Sequence, residues 1–190
     1  FLPDGFKKKK IEAVRAPAVV FSKKQRPFIQ LGYFGRFTTY GRDKGVIDLI
    51  EAFSSIKTSR SADLIICGAT DEELLPYTEY ASTCGGQHPI EFRKFLPQAY
   101  SLSSAAICDV LIMTQPPTQF FVRYVSPLKL FEYLALGKVI ILPRLPAFEK
   151  IFPNWAGALF YQPGDRDDLK ARLVEAIDDY DKHLHLTECT

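Results

Sequence analysis

The sequence alternates regularly between short apolar runs of β type and segments with helical periodicity. The first run, "FIQLGYF" at 28–34, is followed by apolar residues at helical spacing from Val46 to Ile56. Further runs follow at 62–68, 89–92, 109–113, 138–143 and 158–161, with helical segments at 71–81, 99–106, 126–136, 147–152 and 165–180. Strands that alternate with helices are joined by crossovers and pair in parallel. The sequence therefore predicts an α/β fold with a doubly wound, parallel, Rossmann-like sheet of about six strands.

Length and hydrophobic content agree with one folded domain of this class. The chain has 190 residues, of which 47% are hydrophobic, enough to bury a sizeable core. Apolar runs such as "VLIM" at 110–113 are too short to cross a bilayer, and the first residues do not resemble a signal peptide. These features predict a cytoplasmic protein.

The cysteines and histidines do not indicate a metal site. The four cysteines lack the close spacing of zinc ligands and the density of a disulfide framework. Cys67 and Cys108 lie in or beside apolar runs, so we expect both to be reduced and buried. His88 lies near a turn, while His183 and His185 lie in what the sequence predicts to be a polar tail, without the partners of a ligand set or triad.

Residues 1–26 differ in charge from the rest of the chain. They carry eight Lys or Arg against two acidic residues, whereas the whole chain has a net charge of only +2. The run Lys7 to Lys10 lacks interleaved aromatic residues that would stack on bases, so we expect no nucleic-acid partner. We interpret 1–26 as a basic linker or interdomain segment, 27–182 as the Rossmann-like domain and 183–190 as a tail. Peripheral contact of the basic segment with a membrane, or with another domain, is left open.

A lysine stands at an unusual place in the segment "YVSPLKLFEYLALGKVII" at 124–141. Ser126 is a good N-cap and Pro127 a good first helical residue, which places Lys129 near the positive end of the helix dipole. A cation there is unfavourable unless an anion is bound. Glu132 follows one turn later and has oxygens that accept hydrogen bonds from sugar hydroxyls.

A second helix is preceded by cations in the same way. The first apolar run leads into "GRFTTYGRDKGV", where Gly35 and Arg36 follow the strand and Lys44 precedes the helix. Both loops leave the carboxyl ends of predicted strands, where ligands bind in open α/β sheets. Free backbone N–H groups together with a lysine or arginine form a phosphate site. We therefore expect Arg36, Lys44 and the loop containing Ser126 and Lys129 to converge on one polyphosphate, with Gly35 allowing close backbone approach.

A simpler interpretation of these charges is also open. Lys129 and Glu132 have the i, i+3 spacing of an ion pair on a solvated helix face, and Lys129 can extend its ammonium to solvent. Arg36 and Lys44 are then surface charges of a loop.

Several segments, in order and spacing, resemble one known family. They are "LGYFGRFTTYGRDKGVIDLIEAF", "DLIICGAT", "IEFRKFLP", "CDVLIMT", "SPLKLFEYLALGKVIIL" and "YQPGDRDDLKARLVEAI". Together they are similar to the C-terminal, nucleotide-sugar-binding domain of retaining GT-B glycosyltransferases of family four. The resemblance covers about 28–179 and implies that this chain is one half of a GT-B fold. "FLPDG" at the start is similar to the linker that leads into that domain, and the first residue, Phe1, agrees with a preceding N-terminal acceptor domain.

The resemblance implies roles for individual residues. Arg36 and Lys44 match the residues that hold the donor diphosphate and assist catalysis, and Glu132 matches the acidic residue that binds the donor ribose. Ser126 and Lys129 match the loop that surrounds the diphosphate.

Three features depart from the family pattern. Tyr124 stands where the family often has a glutamate that contacts the donor sugar, the segment between Arg36 and Lys44 is longer than usual, and Lys94 stands in place of a glycine common to the family. Phe95 lies in the loop that the resemblance places against the nucleotide base, so we expect it to contact the base.

These observations predict the donor-binding domain of a glycosyltransferase of hexosyltransferase type, which transfers a sugar from a nucleotide diphosphate with retention of configuration. The acceptor is not identified, and the fragment alone is predicted to be inactive. The alternative is a non-catalytic GT-B-like module that binds a nucleotide or serves in assembly. No cofactor or metal is expected, because "DRD" at 165–167 is typical of an N-cap followed by acidic residues in a first helical turn.

Overall fold

The computed structural model describes residues 27–116, 118, 128–151 and 157–188. The strands are β1 Phe28–Phe34, β2 Thr38–Thr39, β3 Arg42–Asp43, β4 Ser61–Ala69, β5 Ile90–Lys94, β6 Val110–Ile112, β7 Val139–Pro143 and β8 Ala158–Tyr161. The helices are α1 Val46–Ser54, α2 Asp71–Cys84, α3 Gln98–Ala106, α4 Leu128–Ala135, α5 Pro146–Ile151, α6 Arg166–Asp178 and α7 Tyr180–Glu188.

The predicted parallel sheet is confirmed. In the described part of the chain, the main sheet has six strands in the order β5-β4-β1-β6-β7-β8, and every neighbouring pair is parallel. The chain moves outward from β1 to β4 and β5, and then returns to the other side of β1 with β6. The reversal of strand order between β1 and β6 is the place where open α/β sheets bind ligands, beyond the carboxyl ends of the strands.

Helices cover both faces of the sheet and enclose two apolar cores. Side chains alternate along each strand, so Leu31 and Tyr33 of β1 face one core while Phe34 faces the other. The first core also receives Phe53 of α1, and the second receives Tyr133 of α4. The near-continuous apolar strands of the sequence are explained by burial on both faces. Cys67 and Cys108 are buried in the second core, as predicted.

A small hairpin occupies the loop that the sequence analysis found to be long. Strands β2 and β3 pair antiparallel, with Tyr40 and Gly41 in the turn, both at positive φ. The hairpin is attached to α2 by two side-chain hydrogen bonds, in which Thr38 Oγ1 donates to Glu73 Oε1 (2.6 Å) and Tyr77 Oη donates to Asp43 Oδ2 (2.6 Å). These bonds hold the segment between β1 and α1 against the body of the domain.

The predicted tail is wrong in part. The boundary set at residue 182 falls inside α7, which extends from Tyr180 to Glu188 and packs against α6 and β7. His183 is only 5% exposed, and its Nε2 lies 3.3 Å from Glu175 Oε1. Helical periodicity in this polar segment is weak, and burial of a single histidine against α6 is a tertiary contact that local pattern does not indicate.

None of the helices in the described ranges has the long apolar stretch that crossing a bilayer requires.

Candidate functional site

The carboxyl ends of β1 and β4 are in direct backbone contact. Strand β4 is irregular between Cys67 and Ala69, where its register with β5 shifts at Gly68. The Gly35 N–H donates to the Cys67 carbonyl oxygen at 2.9 Å, and Gly68 packs directly against the Gly35 backbone. A glycine at a strand end that permits such an approach is typical of ligand sites, because side chains would otherwise keep the two segments apart.

A cleft of about 330 Å³ opens above this junction. Its lining comes from the ends of β1 and β4, the loop after β5 and the starts of α3 and α4. The lining residues are Phe34, Gly35, Cys67, Gly68, Phe95, Leu96, Gln98, Ser101, Leu128, Lys129 and Glu132. A mostly apolar concavity with a few polar groups is the usual form of a small-molecule site. The cleft therefore lies at the expected end of the sheet.

Glu132 is the acidic group of the cleft. It is only 7% exposed, and both of its carboxylate oxygens have a neighbour. Gln98 Nε2 donates to Oε1 at 2.6 Å, and Lys129 Nζ lies 2.9 Å from Oε2. The i, i+3 ion pair that the simpler interpretation predicted is therefore present. It differs from that interpretation in one respect, because Glu132 is buried in the cleft and does not lie on a solvated helix face.

Lys44 lies between the hairpin and α1, where the backbone holds it in place. Its N–H donates to the Phe37 carbonyl oxygen at 2.9 Å, and the next residue, Gly45, donates its N–H to Asp43 Oδ1 at 2.7 Å. Burial lowers the pKa of the Lys44 ammonium below its ordinary value, and the charges of Lys129 and Arg36 lower it further. Cations from three separate segments of the chain therefore act on one another here.

This cation cluster, defined as Arg36, Lys44 and Lys129, consists of like charges whose mutual repulsion is unfavourable in the ligand-free protein. An anion bound among them reverses the sign of that interaction. Arg36 is exposed, and its carbonyl oxygen accepts a hydrogen bond from Tyr33 Oη at 2.9 Å, which orients the loop after β1. The arrangement is suited to a group with more than one negative charge, such as a diphosphate.

The structure brings most of the predicted site residues to one place. Gly35, Phe95, Lys129 and Glu132 line the cleft, and Phe95 presents a ring that is 59% exposed. Arg36 and Lys44 do not line the cleft, although the charge of Lys129, which does line it, acts on Lys44. Ser126, like Tyr124, lies outside the described residues.

Among the lining residues that sequence reasoning missed, Gln98 and Gly68 do most to shape the site. A glycine at the end of an apolar run, as in "IICGAT", is a signal that was available, because it indicates close backbone approach. Gln98 was harder to identify from the sequence, because a polar residue after Pro97 at a helix start is common on protein surfaces.

The interpretation of "DRD" as a helix start is confirmed. Asp165 is the N-cap of α6, and its side chain accepts a hydrogen bond from the Asp168 N–H at 2.9 Å. Asp167 and Asp168 lie in the first turn, where they complement the helix dipole. In the part of the chain that the structure describes, no group of three or more His, Cys, Asp or Glu side chains has the arrangement of a metal site.

Comparison with known proteins agrees with this fold. The sequence profile of glycosyl transferases group 1 matches residues 20–189. No curated protein matches the chain in sequence.

Three solved structures of similar fold are distant in sequence. WaaG, a glycosyltransferase involved in lipopolysaccharide biosynthesis, is 18% identical with a TM-score of 0.70, and the match covers 98% of this chain and 49% of that one. The trehalose 6-phosphate synthase of Burkholderia multivorans is 16% identical with a TM-score of 0.68, covering 98% and 45%. Anabaena HepE in complex with UDP-glucose is 15% identical with a TM-score of 0.65, covering 96% and 49%.

The chain spans about half the length of these three proteins. At such identities the likeness shows the fold, and the profile match over most of the chain shows the family. The resemblance stated from the sequence is confirmed at this level. The chain belongs to the glycosyl transferases of group 1 and is a glycosyltransferase domain with the fold of the C-terminal half of a GT-B enzyme.

Proposed function

We propose that this domain binds the donor of the transfer reaction, a nucleotide-diphosphate sugar, and that the sugar is transferred with retention of configuration. The observation that carries the proposal is the cation cluster of Arg36, Lys44 and Lys129 beside the cleft. Burial and like charges lower the pKa of Lys44, because its charged ammonium is unfavourable in this environment. An anion bound beside the ammonium would stabilise its charged form. The proposal is supported by the loop after β1, which carries Arg36 and Lys44 and leaves the sheet at the reversal of strand order, where open α/β sheets bind ligands.

Each site residue has a role in this proposal. Arg36 and Lys44 hold the diphosphate and stabilise the negative charge that develops on it as the sugar leaves, which makes them the catalytic residues. Gly35 lets the phosphates approach the backbone, assisted by Lys129 and by the segment that contains Ser126. A bound diphosphate would also attract Lys129, whose ammonium lies beside Glu132 in the ligand-free protein.

The nucleoside part would occupy the cleft. Glu132 accepts hydrogen bonds from the ribose hydroxyls, and Phe95 supplies an exposed ring for contact with the base. The complex of Anabaena HepE with UDP-glucose supports a nucleotide sugar as the ligand class, as a proposal from fold similarity.

Transfer requires more than this domain. We expect the acceptor to bind on an N-terminal domain and in the space between the two domains, so the 190-residue chain alone would show no transfer.

We propose that the transferred sugar is a hexosyl group. We also propose that side chains stabilise the charge on the diphosphate without a metal. We also propose a cytoplasmic location, with the basic segment 1–26 in contact with the other domain or with a membrane surface.

Calorimetric titration of the chain with UDP, GDP and ADP tests the proposal. We expect one nucleotide to bind, and Arg36→Ala and Lys44→Ala each to weaken it by about tenfold or more, because each removes a charge-assisted contact. Lys182→Ala, an exposed lysine on α7, is the matched control and should bind as the unsubstituted chain does. Failure of the folded chain to bind any of the three nucleotides, or unchanged binding in both site variants, would contradict the proposal.

A further inference from the structure

Gln98 connects the helix after the edge strand to the acidic group of the cleft. It is the first residue of α3, follows Pro97, and lies 34 positions before Glu132 in the chain. Its Nε2 donates to Glu132 Oε1 at 2.6 Å, a close contact between an amide and a charged carboxylate. Both side chains line the same cleft.

The carboxylate of Glu132 is held by helices of two different segments. Gln98 approaches Oε1 from α3, while Lys129 of α4 approaches Oε2 at 2.9 Å. Burial of Glu132 restricts its rotamers, so these two neighbours define where each oxygen points. A carboxylate has about four lone-pair sites, so Oε1 can accept one more hydrogen bond from a ligand in the cleft. Oε2 is enclosed beside Lys129 and becomes available when a bound diphosphate attracts that lysine.

The amide is well suited to this arrangement because it is neutral. A second cation at Oε1 would compete with a ligand for the carboxylate, whereas an amide N–H orients the oxygen and leaves its negative charge available. Two oxygens fixed side by side match two adjacent hydroxyl groups of a sugar ring.

We propose that Gln98 is a positioning residue that orients the Glu132 carboxylate toward the adjacent 2′- and 3′-hydroxyls of the donor ribose, and so makes the site selective for ribonucleotides. This inference rests on the proposed function, in which Glu132 binds the ribose. Gln98 acts through Glu132, and its effect depends on the hydroxyls that Glu132 contacts.

The test compares the 190-residue chain and its variants by calorimetric titration with UDP, GDP and ADP and with their 2′-deoxy counterparts. For the nucleotide that binds, we expect the ribo form to bind about tenfold more tightly than the deoxy form. Gln98→Ala should reduce that ratio by about fivefold, mainly by weakening the ribo form. Gln98→Asn, whose amide is one methylene shorter and does not reach Oε1, should behave like Gln98→Ala.

Two further variants separate positioning from a general structural effect. In a Glu132→Ala background, Gln98→Ala should cause no additional change in the ratio, because the carboxylate that it orients is absent. Ser103→Ala, an exposed position on the same helix, should leave the ratio unchanged. An unchanged ratio in Gln98→Ala, or equal weakening of both forms, would overturn the inference while the nucleotide site itself stands. Absence of nucleotide binding by the unsubstituted chain would overturn the proposed function and this inference with it.

Discussion

Gly68 lies so close to Gly35 that a Cβ at position 68 would be 1.9 Å from the Gly35 carbonyl oxygen. Gly68 also has φ of +137°, a conformation that side chains rarely adopt, at the point where β4 loses register with β5. The hydrogen bond from the Gly35 N–H to the Cys67 carbonyl holds the same junction from the other side. The loop that carries Arg36 therefore takes its position from a backbone contact between two strands.

Gly68→Ala is expected to destabilise the domain by about 2–4 kcal/mol, because backbone strain is added to a contact that requires the Gly35 loop to move. Chemical denaturation measures this change in the free energy of unfolding. Gly41→Ala is the matched control, since Gly41 also has positive φ but would place its Cβ in open space. It should lose about 1 kcal/mol from backbone strain alone. Equal losses in the two variants would show that the contact with Gly35 does not contribute to the loss in the free energy of unfolding.

Tyr133→Phe is expected to destabilise the domain by about 1–3 kcal/mol. The buried Tyr133 hydroxyl of α4 accepts a hydrogen bond from the Phe34 N–H at 3.2 Å, at the carboxyl end of β1. Removing the oxygen leaves that N–H buried without this partner, while the ring and its packing remain. Thermal denaturation of the variant beside Tyr100→Phe, a change at an exposed tyrosine, would measure the difference. A loss no larger than that of Tyr100→Phe would contradict the prediction.

Diphosphate binding is expected to take up protons at alkaline pH. In the ligand-free protein the pKa of Lys44 lies below its ordinary value of 10.5. Between the lowered value and 10.5, the folded state therefore holds fewer protons at Lys44 than the unfolded state does, and this contribution to stability rises with pH. A bound anion favours the charged ammonium, so its pKa rises and a proton is taken up from solvent.

Titrations in buffers of different ionisation enthalpy measure this uptake. Lys44→Arg keeps a cation at the position but does not deprotonate in this range, so the uptake should disappear while nucleotide binding is retained in part. Uptake of the same size in Lys44→Arg would show that another group takes up the proton.

Asp165→Ala is expected to lower the free energy of unfolding by about 1 kcal/mol, because α6 loses its N-cap hydrogen bond to the Asp168 N–H. Nucleotide affinity should not change, with or without Mg²⁺ or Mn²⁺. Asp167→Ala, which removes an exposed acid of the same turn without removing the cap, serves as the comparison. A metal-dependent loss of affinity in Asp165→Ala would contradict the assignment of this aspartate as a cap.

Most of the architecture was predictable from local pattern. The strands β1, β4 and β7 agree with their predicted bounds to within one residue, because strands buried on both faces are continuous apolar runs with clear ends. The hairpin β2–β3 and the helix α7 were not predicted. Neither has strong apolar periodicity, and both depend on contacts with distant segments, such as Thr38 with Glu73 and His183 with Glu175.

The candidate site was predictable in part for a similar reason. Cations at helix starts are visible in sequence because they oppose a local field, and this identified Lys44 and Lys129. The hydrogen bond between Gln98 and Glu132 could not be predicted from the sequence, because Gln98 lies on another helix and carries no charge.

The order of strands and helices, the parallel sheet and the cationic residues near its carboxyl edge can be predicted from the amino-acid sequence. These features follow from periodicity and helix electrostatics, which act over a few neighbouring residues. The folded structure was needed to find three further relationships. Gly68 packs on Gly35, Gln98 donates a hydrogen bond to Glu132, and the charges of Lys129 and Arg36 lower the pKa of Lys44. Those relationships depend on distances of a few ångströms between segments far apart in the chain, which are set when the helices pack on the two faces of the sheet.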